Sequence, residues 1–143
     1  MPIELNGSGT LSGVLSIPET TTITASAPTA TTNFDYVTQS IQYYTSNATT
    51  NFTLNIRGNG VTTLSSLVAV GRSVTLVLMV TNGATPYYPN VIQIDGSTVT
   101  PKWQGGTAPT AGNANSIDVY SFTVTKTAVT PTYVVLASQV RFA

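Results

Sequence analysis

Short runs of β-branched and aromatic residues recur along this chain, and turn-forming residues close each run. The clearest case is Val91 to Ile94, which leads into Asp95-Gly96, a dipeptide that favours a tight hairpin before the chain returns through Thr98 to Thr100. No long helical pattern separates the runs, so the alternation typical of parallel α/β proteins is missing. The pattern predicts an all-β fold of about seven or more strands, an antiparallel β-sandwich that is jelly-roll-like.

Individual runs predict the position of strands in that sandwich. Residues 34 to 44 favour one long, bent strand, whereas residues 52 to 57 alternate apolar and polar side chains as a half-buried antiparallel strand does. Residues 73 to 81 are apolar on both faces and predict a central strand. The last strand is expected from Tyr133 to Phe142, almost at the end of the chain.

One segment predicts a short helix, from Thr62 to Val68. A threonine can cap its start, Leu64 and Leu67 share a face with Val68, and Gly71 can end it. We expect two turns that pack over one end of a sheet.

The first 33 residues differ in composition from the rest. They contain two short candidate strands broken at Pro18-Glu19, followed by the Thr- and Pro-rich residues 26 to 33, which are typical of an extended, poorly packed linker. We therefore expect an N-terminal anchoring arm and linker at 1–33 and a β-sandwich domain at 34–143.

The chain has no His and no Cys, which removes the side chains most used for chemistry near neutral pH. None of its carboxylates has the spacing of a catalytic pair or a metal site, and Asp95 and Asp118 are expected to be a turn residue and a surface charge at a strand edge. We predict a non-enzymatic protein without catalytic, cofactor or metal residues, although a Ser/Lys pair using Lys102 or Lys126 stays open. The carboxylates are Glu4, Glu19, Asp35, Asp95 and Asp118.

Tyr87, Tyr88 and Trp103 are the candidate recognition residues, because aromatic faces stack on sugars or pack against a protein partner. The alternative is structural. Trp103 would then fill the open end of the sandwich, which we favour for that residue, and the tyrosines would flank a turn at Pro86 and Pro89. For the two tyrosines both interpretations stay open.

Charge is scarce in this chain. Only 7% of residues are charged and the formal net charge is +0, so no basic surface exists to neutralise nucleic-acid phosphates. The longest apolar run, Val74 to Val80, is far shorter than the roughly 20 residues of a membrane-spanning helix, so we expect no membrane insertion. A nearly neutral surface favours association with copies of itself or with a partner.

The part of the chain from Tyr43 to Ala143 resembles a module of structural proteins from tailed phages, especially those that infect marine cyanobacteria. Five segments carry the resemblance, and residues 94 to 106 are the most specific of them. The segments are Tyr43–Ala48, Phe52–Gly58, Gly71–Thr75, Ile94–Gly106 and Val135–Ala143.

The resemblance implies a virion protein that acts in assembly or display and has no catalytic residues. We therefore expect a capsid decoration, cement or short fibre protein on the exterior of a phage particle. It would be attached by its N-terminal arm to major capsid or tail proteins and clustered as a homo-oligomer, with a trimer expected from fibre and decoration proteins in general. The alternative is a carbohydrate-binding adsorption module of a tail fibre that recognises host-surface glycans through the three aromatic residues.

Overall fold

Two β-sheets packed face to face form the body of the protein. The computed structural model describes residues 19–143. Within that range one short α-helix, α1 (Leu64–Leu67), lies between the fourth and fifth strands. The strands are β1 (Thr21–Thr24), β2 (Thr31–Asp35), β3 (Ile41–Tyr44), β4 (Phe52–Arg57), β5 (Ser73–Asn82), β6 (Pro89–Ile94), β7 (Ser97–Val99), β8 (Lys102–Trp103), β9 (Ser116–Ala128) and β10 (Thr132–Phe142).

The predicted all-β sandwich with one short helix is confirmed, and its two sheets are mixed. The larger sheet has the order β1-β3-β5-β9-β10-β8 and the smaller has the order β2-β4-β6-β7. β5, β9 and β10 run antiparallel, as do β6 and β7, whereas β1, β3 and β5 run parallel. β4, predicted as an antiparallel strand, is parallel to both of its neighbours.

Four of the five parallel pairs in the described residues arise because the first six strands alternate between the two sheets; the fifth joins β8 to β10. A parallel pair needs a crossover connection of about a dozen residues or more. In those four pairs each crossover contains a strand of the opposite sheet: the chain passes from β1 through β2 to reach β3, and from β2 through β3 to reach β4. The alternating side chains of a strand report its half-burial, but they carry no information on the direction of its neighbours.

The hydrophobic core lies between the sheets and is built from alternate residues of each strand. On β9 the inward side chains Tyr120, Phe122 and Val124 are fully buried, and they face Phe34 and other residues of the smaller sheet. The central position of β5 in the larger sheet is confirmed. The largest buried side chains are Tyr120, Phe34, Phe52, Phe122, Leu54, Ile56, Leu64, Leu76, Leu78 and Ile94.

The sandwich begins earlier in the chain than the predicted boundary at residue 34. Thr21–Thr24 pairs with β3, and Thr31–Asp35 pairs with β4, so the predicted linker contributes a strand. Pro28 and Thr32 are buried, which corrects the expectation of a poorly packed segment. The long strand predicted for residues 34 to 44 is divided between the two sheets, because the chain crosses over after Asp35. Residues 1–18 of the predicted arm lie outside the described residues.

The hairpin turn at Asp95-Gly96 also fixes the helix. Asp95 has φ 49° and Gly96 has φ 81°, the left-handed conformations that this tight turn requires. The Asp95 carboxylate accepts hydrogen bonds from the backbone N–H groups of Leu64 (2.7 Å) and Ser65 (3.0 Å). The expected turn residue thus also satisfies two backbone donors at the start of α1. The helix has 4 residues, about one turn and not the two turns expected, and its side-chain cap is a threonine, Thr63.

Deleting residues 1–30 should destabilise the protein more than deleting residues 1–18, because only the longer deletion removes β1. The loss includes the backbone bonds from Ser40 and Ile41 to the Thr20 carbonyl, and that from Thr45 to the Thr24 carbonyl. We expect a difference of about 2 kcal/mol in the free energy of unfolding, measured by urea denaturation of the two truncated proteins. Equal midpoints would show that β1 adds nothing to the sandwich.

Candidate functional site

Trp103 and Tyr88 line one groove at an edge of the sandwich. The groove has a volume of about 290 Å³ and lies among β6, β7 and β8. Both aromatic residues are half-buried, so each exposes part of its ring to the groove. Polar groups beside these rings could fix the orientation of a bound molecule. The other residues that shape the groove include Pro89, Asn90, Thr98, Thr100, Pro101 and Pro109.

Trp103 fits both interpretations of its role. Its indole packs edge-on against Phe122 of β9, with ring centroids 6.1 Å apart and an interplanar angle of 70°. This contact covers the core as the structural interpretation predicts, while the rest of the ring lines the groove. Tyr87 is half-buried and packs against the core, and it is not among the residues that line this groove. The structure therefore brings two of the three candidate residues together.

A buried carboxylate organises the segments beside the groove. Asp118 is fully buried, which corrects the expectation of a surface charge at a strand edge. It accepts hydrogen bonds from the Asn82 side chain (3.1 Å), the Gln139 side chain (3.1 Å), and the backbone (2.8 Å) and side-chain (2.7 Å) nitrogens of Asn113. A buried carboxylate needs such donors, because leaving water without them is very costly.

These hydrogen bonds connect Asp118 to two segments that adjoin the groove, one next to Tyr88 and one in the loop that carries Pro109. The Asn82 side-chain oxygen accepts a bond from the backbone N–H of Tyr87 (2.9 Å), next to the groove residue Tyr88. Asn113 belongs to the loop that also carries Pro109. That loop packs so closely that a Cβ atom at Gly112 would collide with the Tyr87 carbonyl oxygen. Asp118 is thus a positioning residue for the groove.

The sequence contained a signal for the burial of Asp118 that the prediction did not use. Asp118 lies two residues before Tyr120 and four before Phe122, so the two-residue period of a strand places it on their inward face. Its partners Asn82 and Gln139 lie far away in the chain, and nothing in the sequence pairs them with it.

A second polar cluster joins β9 to the helix. The Lys126 ammonium donates hydrogen bonds to the Ser65 backbone carbonyl (2.7 Å) and to the Ser65 hydroxyl (3.1 Å). Of the two lysines considered for a Ser/Lys pair, Lys126 thus contacts a serine, and Lys102 is exposed. Because the ammonium also binds a backbone carbonyl of α1, these contacts are explained by a structural role in which Lys126 holds the helix against β9.

Within residues 19–143, no group of three or more acidic side chains is placed to hold a metal ion. No helix in this part of the chain is long and apolar enough to cross a membrane. The chain matches no protein-family model, no curated protein and no solved structure. The groove therefore has to be interpreted from its own geometry and chemistry.

The hydroxyl of Tyr120 belongs to the Asp118 cluster and should make stability sensitive to alkaline pH. Burial raises the pKa of Tyr120 above its ordinary value of 10.0, and the nearby Asp118 charge raises the pKa further. Below pH 10 the phenol is neutral in both the folded and the unfolded chain. Above pH 10 the unfolded chain loses this proton while the folded chain keeps it, so unfolding becomes more favourable as the pH rises.

We expect the free energy of unfolding to fall between pH 10 and 11.5, with Tyr120 contributing a slope of up to about 1.4 kcal/mol per pH unit. Replacing Tyr120 by Phe should make the slope shallower by that amount, as measured by urea denaturation at several pH values. Tyr43→Phe, on the outward face of β3, is a control. An unchanged slope in Tyr120→Phe would contradict the buried, proton-retaining phenol.

Proposed function

We propose that this chain is a non-enzymatic structural protein on the exterior of a phage particle, a capsid decoration, cement or short fibre protein attached through its N-terminal segment. The observation that carries the proposal is the position of two opposite edges. β1 and β2 are the first strands of their sheets and form what we call the entry edge. β7 and β8 are the last strands and form the groove edge, which carries Trp103.

Each edge is shared by the two sheets. Only residues 25–30 join β1 to β2, and Phe34 of β2 packs in the same buried cluster as Tyr44 of β3, so β2 lies opposite the first strands of the larger sheet. β7 and β8 are joined by only Thr100 and Pro101, so they also lie close together. A protein attached through its entry edge would therefore expose the groove on the side opposite to the attachment.

The entry edge also supports a mechanism of attachment. β1 has no neighbouring strand on its outer side within the described part of the chain, so its backbone is open to pairing. The N-terminal segment could add an extended strip to a capsid or tail protein, continued by this edge, with main-chain hydrogen bonds supplying the affinity. Residues 1–18 lead into β1 through Glu19 and Thr20.

The attachment is tested by comparing full-length protein with protein that lacks residues 1–18. Each is added to phage particles stripped of this protein, and occupancy is measured by immunogold labelling in negative-stain images. We expect the truncated protein to lose at least nine tenths of the labelling, about 1.4 kcal/mol or more in binding. Trp103→Ala is the matched control and should label particles as the full-length protein does. Full occupancy by the truncated protein would refute attachment through the N-terminal segment.

A carbohydrate-binding adsorption module is the second candidate, and one observation favours it. Trp103 and Tyr88 share a groove with the side chains of Asn90, Thr98 and Thr100, so an apolar stacking surface lies beside hydrogen-bonding groups. Sugars present the same combination of an apolar ring face and polar hydroxyls. The same exterior position would then serve adsorption to host-surface glycans.

A glycan array distinguishes adsorption from a purely structural role. If the groove binds sugar, Trp103→Ala and Tyr88→Ala should each weaken binding at least tenfold, about 1.4 kcal/mol. Tyr87→Ala is the matched control, because Tyr87 is an adjacent aromatic residue outside the groove. A thermal melt of each variant separates lost binding from lost folding. If the unsubstituted protein binds no glycan on the array, the adsorption candidate fails.

A further inference from the structure

The outward face of the larger sheet carries a continuous apolar row that crosses five strands. Ile23, Tyr43, Met79, Val119 and Val140 are consecutive register partners on β1, β3, β5, β9 and β10. Their neighbours in the adjoining rows include further apolar side chains. These are Ile41 and Val77 on one side, and Ile117 and Phe142 on the other.

Several of these side chains are open to solvent. Ile23 is 68% exposed, Val140 is 45% exposed and Phe142 is 57% exposed. The outward positions of these five strands contain no charged residue, since the remaining ones are Thr and Ser together with Val134 and Leu136 of β10. We call this surface the uncharged face. The charged residues of these strands, Asp118 and Lys126 on β9 and Arg141 on β10, occupy the alternate positions, and Lys102 lies on β8 beside Leu136.

The size of the uncharged face matches one half of a protein interface. β1 and β3 have 4 residues each, whereas β5, β9 and β10 have 10, 13 and 11. With strands about 4.8 Å apart and about 3.3 Å per residue, they cover about 670 Å², within the range of roughly 600–1,000 Å² per partner for standard interfaces. A stable interface of standard size buries about 800 Å² on each partner. Exposed apolar patches of several hundred Å² on a folded protein mark interaction sites.

We propose that the uncharged face packs against the same face of a second copy of this chain, forming a two-fold symmetric pair. A second copy fits because the face has no charge that would require an opposite charge on a partner, and its hydroxyl groups can bond to one another. Sheets stack face to face about 10 Å apart. With a formal net charge of +0, two copies do not repel each other.

This inference goes beyond the proposed function and does not depend on it, since the pair would form in solution without any phage particle. The uncharged face lies on the outer side of the larger sheet, away from the smaller sheet and its edge strand β7. Pairing would therefore leave the smaller sheet of each copy uncovered.

The test measures the mass of the full-length protein by sedimentation velocity across a concentration series. We expect a concentration-dependent dimer, and Val119→Lys should raise its dissociation constant at least tenfold by placing like charges across the two-fold axis. Val140→Lys is a second variant on the same row. Val129→Lys is the matched control, because Val129 is 85% exposed in the turn between β9 and β10 and should leave the dimer intact.

A charge-swap experiment sharpens the test. Val119→Glu alone should also be monomeric, and mixing it with Val119→Lys should restore a dimer, because opposite charges then meet across the interface. Thermal melts confirm that each variant is folded. The proposal is overturned if the full-length protein is monomeric or trimeric, or if its dimer survives both lysine substitutions. It is also overturned if the mixed variants do not associate, or if dimers appear only after residues 1–18 are deleted, since the N-terminal segment would then cover the face.

Discussion

The burial of one apolar face from each sheet is the interaction on which the rest of this structure depends. Removing large side chains such as Phe34 and Phe122 from water stabilises the fold by about 1.5–3 kcal/mol each, and neither sheet can bury them alone. Because the first six strands alternate between the sheets, the core is assembled from both sides as the chain advances. The same alternation makes neighbouring strands parallel and places β1 and β2 at one edge.

The buried carboxylate of Asp118 links the core to the segments beside the candidate site through hydrogen bonds. Its donors come from β5, β10 and the loop that precedes β9, so one charged group joins three separate parts of the chain. Burying a single carboxylate at such a position without hydrogen-bond donors would cost too much free energy. The groove near Trp103 therefore depends on the fold as a whole, since its walls are held through residues that do not themselves line it.

One surface of the described part of the chain carries none of the few charged residues in the sequence. The outward positions of five strands in the larger sheet carry only apolar residues and hydroxyls, from Ile23 on β1 to Phe142 on β10. Attachment would use the open backbone edge of β1, pairing would use the outward side chains of five strands, including Ile23 of β1, and recognition would use the groove. The three proposals are therefore compatible within one molecule, and each can fail without the others.

By itself the sequence determined the all-β class of the fold and those elements that depend on local rules. Alternating residues predicted β4, turn chemistry predicted Asp95-Gly96, and a capping threonine predicted α1. Only the tertiary structure decided that β4 runs parallel to its neighbours, that residues 21–35 belong to the sandwich, and that Asp118 is a buried hydrogen-bond acceptor. It also brought Trp103 and Tyr88 together while leaving Tyr87 aside. These features depend on contacts between residues far apart in the chain, whose partners the local pattern of side chains does not specify.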